Sequence, residues 1–407
     1  MAVSVKEAIN ILSNQYKKPK YEIVPIENAL NKISAESLFA TQALPKFNNS
    51  AMDGYAILFE DTHSKLKITS TIFAGDNKDI ELISGQCVKI MTGAKIPKNC
   101  TAIIPFEDAK IINETTVCIP SKVKENQHIR YIGEDIQIKD NILKEGDEIN
   151  FSKITLLSSQ GISHVKVFKK PNIVVFASGE ELKLHYEKIE DYQIYNSNTP
   201  TFIARCQELG CDVTFIGQAR DSIDSIKESI QNSLGADLII TSGGVSVGEA
   251  DFTKEAFNAL GFESLFDGII VKPGKPTVFG KIGNTLILNL PGNPLAASLI
   301  FELFGKILIQ KLLGQKECFH NTIDAKMHKT LKNKKGRITV VPGFFDGVFF
   351  QASNKRSPGM VSILASCNAM IVLDENVEHI EENKTVKVLP INWKFFTQEN
   401  KDFLTHE

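Results

Sequence analysis

The sequence predicts a multidomain protein of α/β and β structure whose centre is a doubly wound parallel sheet. Strands alternate with helices from residue 171 to residue 313, which is the pattern of a parallel sheet covered on both faces. Short β-like runs separated by turn residues occupy residues 57–123 and 323–389. With 407 residues and a hydrophobic content of 43%, the chain is too long for one simple core and suffices for several compact units.

The composition excludes several classes of protein. A formal net charge of -2 argues against a general nucleic-acid binder, because a surface that tracks phosphates leaves a basic surplus. The seven cysteines include no C-x-x-C pair, so a structural zinc site is not expected. The N-terminus lacks the apolar region of a signal peptide, and no run approaches the ~20 apolar residues that span a bilayer. We expect a cytoplasmic protein with reduced thiols and with neither nucleic acid nor membrane as a partner.

The first part of the chain predicts a helical domain interrupted by a β domain. A helical apolar period begins at Val5, and a second short helical pattern covers residues 29–38. The apolar runs then become short and β-like, before the helical texture resumes near Ile129. The predicted units are an elongated N-terminal domain and an inserted β domain, at residues 1–45 plus 129–168 and residues 46–128.

The remaining chain predicts an α/β domain, a C-terminal β domain and a tail, at residues 169–317, 318–390 and 391–407. The first unit has three strands, each followed by a helix that crosses back over the sheet. We expect the strands at residues 172–176, 212–216 and 238–240, and the helices at residues 198–210, 221–234 and 252–260. The β domain reads as a compact barrel or sandwich. In such a sheet, ligands gather at the carboxyl ends of the strands.

The most informative segment is the glycine-rich turn at residues 241–251, between the third strand and its helix. Gly243 and Gly244 can reach positive φ, so successive backbone amides can converge on a phosphate. The segment adds hydroxyl and carboxylate groups that suit an anion with a divalent ion, at Ser242, Ser246, Glu249 and Asp251. A tight strand-to-helix connection that binds nothing is the alternative.

Two more acidic turns are predicted at the same edge of the sheet. Glu180 and Glu181 follow the first strand, and Asp221 comes shortly after the second. Because the carboxyl ends of parallel strands meet at one edge, we expect these side chains to lie near the glycine-rich turn. Three acidic turns from distant parts of the chain therefore predict a common site.

Two proline-clamped turns complete the predicted site. In Lys272–Pro276 the prolines restrict the loop, so that Lys272 and Lys275 can face one tetrahedral oxyanion or phosphate. The turn at residues 291–294 opens a helix predicted at residues 295–312, with Asn293 as a candidate N-cap and Pro294 near the first helical position. A purely structural role for this second turn is the alternative.

These motifs resemble those of one known family, the molybdopterin molybdenumtransferases, or MoeA family, which includes the C-terminal domain of gephyrin. The resemblance spans some 320 residues in the family's order, at residues 49–56, 91–97, 133–136, 241–251, 272–276, 291–294 and 357–368. It implies four domains: an elongated domain with a β insert, a MogA-like α/β domain and a C-terminal β-barrel-like domain.

The resemblance also implies an activity and an assembly. A member of this family is a homodimer that inserts molybdate into adenylylated molybdopterin, with release of AMP. Mg²⁺ is the candidate assisting ion, and the identity of that metal stays open. Its cleft pairs the α/β domain of one subunit with the inserted domain of the other. Molybdopterin adenylyltransferase and molybdoenzyme apoproteins are the implied partners. Two alternatives stay open: a molybdopterin adenylyltransferase, which shares the α/β domain, and a non-catalytic oligomeric scaffold.

Residue roles follow from the same resemblance. The catalytic candidates are Asp53, Thr92, Asp135, Glu181, Asp221 and Asp251. Of these, the candidate Mg²⁺ ligands are Asp53, Glu181, Asp221 and Asp251. The candidates for binding the pterin, the phosphates or molybdate are Ser242, Gly243, Gly244, Ser246, Glu249, Lys272, Lys275, Pro291, Asn293, Pro294, Arg356 and Ser357. For Asp53 taken alone, capping of a turn at Asp53-Gly54 is at least as good an interpretation as catalysis.

The chain departs from the family's pattern in two places. Glu180 stands where the family usually has aspartate, which leaves open whether Glu180 or Glu181 faces the cleft. After Pro97 the chain has residues 99–101, Asn-Cys-Thr, where the family tends to Gly-Ala-Asp, and Glu107 or Asp108 could compensate for the lost acid. Molybdate and tungstate are tetrahedral dianions of nearly equal size, so the same lysines would serve either.

Overall fold

The computed structural model describes residues 2–15, 18–243, 252–392, 402, 404 and 405. Its α-helices are Val5–Asn14, Phe151–Ser159, Asn198–Glu208, Ile223–Gln231, Phe252–Ala259, Pro294–Ile300, Lys306–Leu312 and Ser362–Ser366. The 3₁₀ turns are Ile26–Asn28, Phe59–Asp61 and Phe106–Asp108, and Phe301–Gly305 is a π-helical turn. In the part of the chain that the structure describes, no helix is both long enough and apolar enough to cross a membrane.

The first helix has strong local signals. Ser4 Oγ accepts a hydrogen bond from Glu7 N at 3.2 Å, and Glu7 Oε2 accepts one from Ser4 N at 2.7 Å, which makes a capping box. The buried face of the helix, at Ala8 and Leu12, packs into the main core of the α/β domain. The helix at the start of the chain thus supports the domain that lies in the middle of it.

The N-terminal region is less helical than predicted. Its paired strands are Tyr21–Pro25 with His164–Phe168, Leu38–Phe39 with Asn141–Leu143, and Asn49–Ser50 with Ile129–Arg130. The helix expected at residues 29–38 is wrong. Asn31 has φ of 61°, which a helix does not allow, and Ile33 and Ser34 form isolated β-bridges with Glu148 and Val167. The buried positions Ala29 and Ile33 imitate a helical period although the backbone there is irregular.

The β insert is one six-stranded sheet, as its short apolar runs predict. In spatial order its strands are Ala102–Pro105, Gly54–Ile57, Gln86–Ile90, Lys65–Ile72, Thr116–Cys118 and Lys110–Asn113. Gly54 lies in a central strand, and a Cβ atom there would come within 2.0 Å of the Ile104 carbonyl oxygen. The glycine next to Asp53 is therefore required by close approach of two backbones.

The α/β domain contains a six-stranded sheet that is only partly parallel. In spatial order its strands are Asp212–Ala219, Asn172–Ser178, Leu238–Ser242, Thr285–Leu290, Val278–Ile282 and Glu263–Asp267. The first four are parallel, and the last two are antiparallel to their neighbours. The reason is local: Val278–Ile282 and Thr285–Leu290 are joined by two residues, a connection that permits only an antiparallel hairpin.

Alternate residues of the parallel strands enter two cores. Val175 and Ile240 face a large core that includes Phe202 of the helix Asn198–Glu208. Phe176 and Ile239 face a second core, which is covered by the helices Ile223–Gln231 and Phe252–Ala259. The sheet is therefore doubly wound, and the carboxyl ends of its strands are left free for a site.

The C-terminal domain is a barrel. Its strands are Ile338–Phe345, Phe349–Ala352, Ile323–Met327, Thr385–Pro390 and Ala369–Leu373, and the first also pairs with the last, which closes the sheet. Val271–Lys272 adds to the barrel alongside Ile338 and Thr339. Two short strand pairs lie outside the barrel sheet. Leu331–Lys332 pairs with His379–Ile380 in this domain, and Leu182–Lys183 pairs with Ile194–Tyr195 in the α/β domain. The predicted basic turn thus leaves directly from a strand of the barrel.

Candidate active site

A cavity of about 790 Å³ lies at the carboxyl ends of the parallel strands. Its walls come from the strand ends at Ser178 and Ser242, the start of the helix Asn198–Glu208, and the turn at residues 291–294. Gly359 and Val361 reach it from the C-terminal domain. The predicted sheet-edge site is therefore a real concave surface, large enough for a ligand of several rings.

Two of the predicted acidic residues meet in this cavity. Glu181 and Asp221 both line it, whereas Glu180 does not border it. Asp221 Oδ2 accepts a hydrogen bond from Glu180 N at 3.4 Å, which ties the two acidic turns together. The open choice between the neighbouring glutamates is therefore resolved in favour of Glu181.

The start of the glycine-rich turn is packed against the neighbouring strand end. Ser242 and Gly243 line the cavity, and Gly243 has φ of 96°. A Cβ atom on Gly243 would lie 2.6 Å from the carbonyl oxygen of Ser178. Only glycine satisfies both the positive φ and this close approach. Gly244, Ser246, Glu249 and Asp251 lie outside the described residues, so their predicted roles stay predictions.

Asn198 is a site residue that the sequence reasoning missed. Its side chain is buried and donates hydrogen bonds through Nδ2 to Ser242 Oγ at 3.3 Å and to the Gly292 carbonyl at 2.8 Å. It thus joins two turns that line the cavity. The sequence did contain a signal for it. Residues 196–199, just before Pro200, are all polar, whereas the start of a helix needs only one polar residue as its cap.

The turn at residues 291–294 also lines the cavity, but its helix N-terminus is already occupied. The Pro358 carbonyl accepts hydrogen bonds from Leu295 N at 2.9 Å and Ala296 N at 3.3 Å. Asn293 is the N-cap residue and Pro294 holds the first turn, but the Asn293 side chain makes no capping hydrogen bond among the described residues. These contacts support the alternative that the turn has a purely structural role in starting the helix, although Pro291, Asn293 and Pro294 border the cavity.

The basic residues lie near the cavity without lining it. Lys272 and Lys275 are exposed, and only Pro276 of their turn borders the cavity. Gly274 fixes the turn, since a Cβ atom there would lie only 2.2 Å from Ile300 Cγ1. Arg356 and Ser357 are exposed and lie just before the lining residue Gly359. The described cavity wall therefore contains two carboxylates and no lysine or arginine.

The remaining catalytic candidates lie away from the cavity of their own chain. Asp53 and Thr92 are exposed on the β insert, where Asp53 Oδ1 accepts hydrogen bonds from Thr92 N at 2.7 Å and Thr92 Oγ1 at 2.8 Å. These hydrogen bonds hold the pKa of Asp53 below its usual value. Asp135 is also exposed, and its backbone amide donates to the Leu44 carbonyl at 3.0 Å.

The described cavity wall has too few ligands to hold a metal ion by protein groups alone, but its carboxylates suit Mg²⁺. In the described part of the chain, no group of three or more His, Cys, Asp or Glu side chains could hold a metal ion. Mg²⁺ is commonly bound through one or two carboxylates together with water and substrate phosphates. Glu181 and Asp221 supply such a pair at one cavity.

Comparison with known proteins covers almost the whole chain. Family models match residues 3–161 ("MoeA N-terminal region (domain I and II)"), 174–311 ("Probable molybdopterin binding domain") and 324–391 ("MoeA C-terminal region (domain IV)"). A molybdopterin molybdenumtransferase from Haemophilus influenzae is 35% identical over 387 residues, covering 91% of this chain and 94% of that protein. One from Staphylococcus aureus is 32% identical, covering 95% of each.

The fold has a solved counterpart. The crystal structure of a molybdopterin biosynthesis MoeA protein from Pyrococcus horikosii superimposes with a TM-score of 0.82 at 29% identity. The match covers 97% of this chain and 100% of that one. Similarity of this extent includes the β insert and the C-terminal barrel as well as the α/β domain.

Proposed function

Because the chain belongs to the MoeA family of molybdopterin molybdenumtransferases, we propose that it inserts molybdate into adenylylated molybdopterin and releases AMP. The activity is a transfer of molybdenum in the biosynthesis of molybdenum cofactor. The observation that carries the proposal is the cavity at the sheet edge, which places Glu181, Asp221, Ser242 and Gly243 together in a chain related to these enzymes along nearly its whole length. The adenylyltransferase and the scaffold are not favoured, because the relatives named for molybdenum transfer align with all four predicted domains.

Glu181 and Asp221 are proposed to hold Mg²⁺ against the phosphates of the substrate. The bound ion would neutralise charge that develops on the phosphoanhydride as AMP leaves. Ser242 and Gly243 lie on the same wall. The Gly243 amide already donates to the Leu290 carbonyl at 3.3 Å, so the Ser242 hydroxyl is the group that can orient the substrate. The contact of Asn198 with Ser242 and Gly292 keeps these two turns at a fixed spacing.

Lys272 and Lys275 are proposed to attract molybdate to the cavity entrance. Both are exposed ammonium groups on a turn whose Pro276 borders the cavity. Arg356 and Ser357 are exposed and precede the lining residue Gly359 by three and two residues. Because the cavity wall carries carboxylates, a tetrahedral dianion needs cations at its entrance.

A homodimer with a shared cleft is proposed because, within one chain, the catalytic candidates of the β insert do not border the cavity. Asp53 and Thr92 do not border the cavity of their own chain. Around Asp53 the surface exposes large apolar side chains, including Phe47, Met52 and Ile132, which suits contact with a second copy. In the proposed dimer, Asp53 of one chain positions water at the cavity of the other. We place the enzyme in the cytoplasm, where its partners would be molybdopterin adenylyltransferase and molybdoenzyme apoproteins.

The activity is tested with purified protein, adenylylated molybdopterin, molybdate and Mg²⁺, following AMP release and molybdenum incorporation together. We expect both to proceed, and we expect Asp53→Ala and Lys275→Ala to slow them by at least tenfold. Matched controls are Asp76→Ala, a half-buried carboxylate of the insert that also accepts a hydrogen bond from a backbone amide, and Lys98→Ala, which removes an exposed ammonium group. Pyrophosphate release from ATP and molybdopterin would instead indicate the adenylyltransferase.

The shared cleft has its own test. A mixture of Asp53→Ala and Asp221→Ala chains forms mixed dimers in which one cleft carries both changes and the other carries neither. Activity should recover to about a quarter of the wild-type value after random exchange of subunits. Absence of recovery, with dimers verified by mass, would place both residues in the cleft of a single chain.

A further inference from the structure

Two buried hydroxyl groups border the cavity without any hydrogen-bond partner. Ser178, which is 4% exposed, ends the strand Asn172–Ser178, and Thr253, which is 2% exposed, lies in the first turn of the helix Phe252–Ala259. Among the described residues, neither Ser178 Oγ nor Thr253 Oγ1 has a hydrogen-bond partner. Burial of a hydroxyl without a partner costs free energy, so such groups are rare unless a ligand satisfies them.

These two hydroxyls differ from the other polar groups in the cavity wall. Ser242 Oγ is already engaged by Asn198 Nδ2. The other buried atoms without a partner, such as those of Asn289, belong to residues that do not line the cavity. Within the described wall, Ser178 and Thr253 are thus the two side chains whose buried hydrogen-bonding capacity is unused.

The charge around the Ser178 and Thr253 hydroxyls indicates what kind of chemical group they bind. Glu181 and Asp221 are the charged residues of the described wall, and a Cβ atom on Gly179 would lie only 2.9 Å from Glu181 Oε2. A carboxylate therefore sits beside Gly179, the residue that follows Ser178, and an anionic group there would be repelled in the absence of a cation. A hydroxyl both donates and accepts, so it suits a neutral group that offers both N–H donors and oxygen or nitrogen acceptors.

We propose that Ser178 and Thr253 determine specificity by hydrogen-bonding the polar edge of the pterin ring of molybdopterin. This inference rests on the proposed function, because it takes adenylylated molybdopterin as the ligand. The pyrimidine part of a pterin carries an amino group, a ring N–H and a carbonyl, which match two hydroxyls of mixed donor and acceptor character. The phosphates then lie on the side of Glu181 that faces away from Ser178, where Mg²⁺ shared by Glu181 and Asp221 would offset the repulsion between these carboxylates and the phosphates.

The inference predicts opposite effects on stability and on binding. Ser178→Ala and Thr253→Val each remove an unsatisfied buried group, so the free protein should keep or raise its melting temperature. Each should weaken binding of adenylylated molybdopterin by about tenfold. Thr253→Ser keeps the hydroxyl and should retain affinity. A merely structural role would lower stability and leave affinity unchanged.

The test is calorimetric titration of the full chain and its variants, combined with thermal unfolding. The probes are adenylylated molybdopterin, molybdopterin with and without its phosphate, and AMP. The matched control is Ser34→Ala, since Ser34 is also buried and does not line the cavity, but its hydroxyl donates to the Glu36 carbonyl at 2.8 Å. This control should lose stability and keep its affinity.

The outcomes separate this inference from the proposed function. Weaker binding of dephosphorylated molybdopterin with unchanged binding of AMP supports the pterin assignment. Weaker binding of AMP alone would assign the hydroxyls to a phosphate or nucleotide and overturn it, as would variants that bind every probe like the wild type. If the wild-type chain bound no adenylylated molybdopterin, the proposed function itself would fail.

Discussion

Asp53 and Thr92 are joined by two hydrogen bonds that converge on one carboxylate oxygen, Asp53 Oδ1, at 2.7 Å from the Thr92 amide and 2.8 Å from its hydroxyl. The pair connects two turns of the β insert that lie far apart in sequence. This brace reaches Thr92, 39 residues away, and differs from the expected capping of a turn at Gly54, which lies in a strand. The catalytic interpretation stays a prediction, and the brace would hold the carboxylate in place for it.

The Thr92 hydroxyl should control the acidity of Asp53. The two hydrogen bonds lower the pKa of Asp53 below its ordinary value of 3.8. Stability linked to this group is thus present above the unfolded pKa and is lost as the pH falls through the folded pKa. Thr92→Val keeps the backbone bond and removes the hydroxyl bond, so the pKa should rise toward 3.8. An NMR titration of the Asp53 carboxyl measures it, and an unmoved pKa would contradict the assignment.

Replacement of Gly243 by alanine should damage both stability and the site. The new Cβ atom would lie 2.6 Å from the Ser178 carbonyl, on a residue whose φ is 96°. We expect a loss of about 1–3 kcal/mol in the free energy of unfolding together with loss of substrate binding. The control is Gly85→Ala, which shares a positive φ but has nothing within 4 Å of its Cβ position. Equal losses in urea unfolding would show that the close approach is unimportant.

The buried ion pair between Arg205 and Glu302 should contribute more to stability than the exposed ion pair between Arg205 and Glu208. Arg205 Nε and a terminal guanidinium nitrogen bind the two Glu302 oxygens at 2.6 and 2.9 Å, and the Glu302 side chain is only 8% exposed. Glu302→Ala should lower the free energy of unfolding by about 3–5 kcal/mol, because it leaves a poorly hydrated guanidinium unpaired.

Glu208 provides the matched control for this ion pair. It also pairs with Arg205, but its side chain is 60% exposed, so Glu208→Ala should change stability by no more than about 1 kcal/mol. Denaturant unfolding distinguishes the two variants. Because Arg205 lies on the helix that begins with Asn198, Glu302→Ala should also weaken ligand binding. Similar effects of both substitutions on stability would argue against the role of burial.

The buried thiols should resist modification in the folded protein. Burial raises the pKa of Cys87 and of Cys211 to about 12, and the pKa of Cys206 is raised for the same reason. At pH 8 these cysteines should react with a maleimide only after unfolding. Cys118, which is partly exposed, serves as the native-state control. Mass spectrometry of labelled peptides measures this, and rapid native labelling of Cys211 would contradict it.

The sequence predicted the sheet edge well because the signal for it is local. Buried parallel strands such as Leu238–Ser242 are short apolar runs with turn residues at their ends, and their carboxyl ends meet by topology alone. The positions of Glu181 and Asp221 follow from that rule. The same local reasoning failed at residues 29–38, where burial at a spacing of four residues occurs without a helix, and it missed the hairpin that makes the sheet partly antiparallel.

By itself, the sequence determined the alternation of strands and helices in the central unit, the glycine-rich segment after its third strand and the family to which the chain is similar. Only the tertiary structure decided that Glu181 rather than Glu180 faces the cavity, that Asn198 joins two turns, and that the Ser178 and Thr253 hydroxyls lack partners. Periodicity and turn chemistry act within a few residues of the chain. The cavity wall is made of side chains brought together from widely separated segments, and such contacts depend on packing that no local pattern encodes.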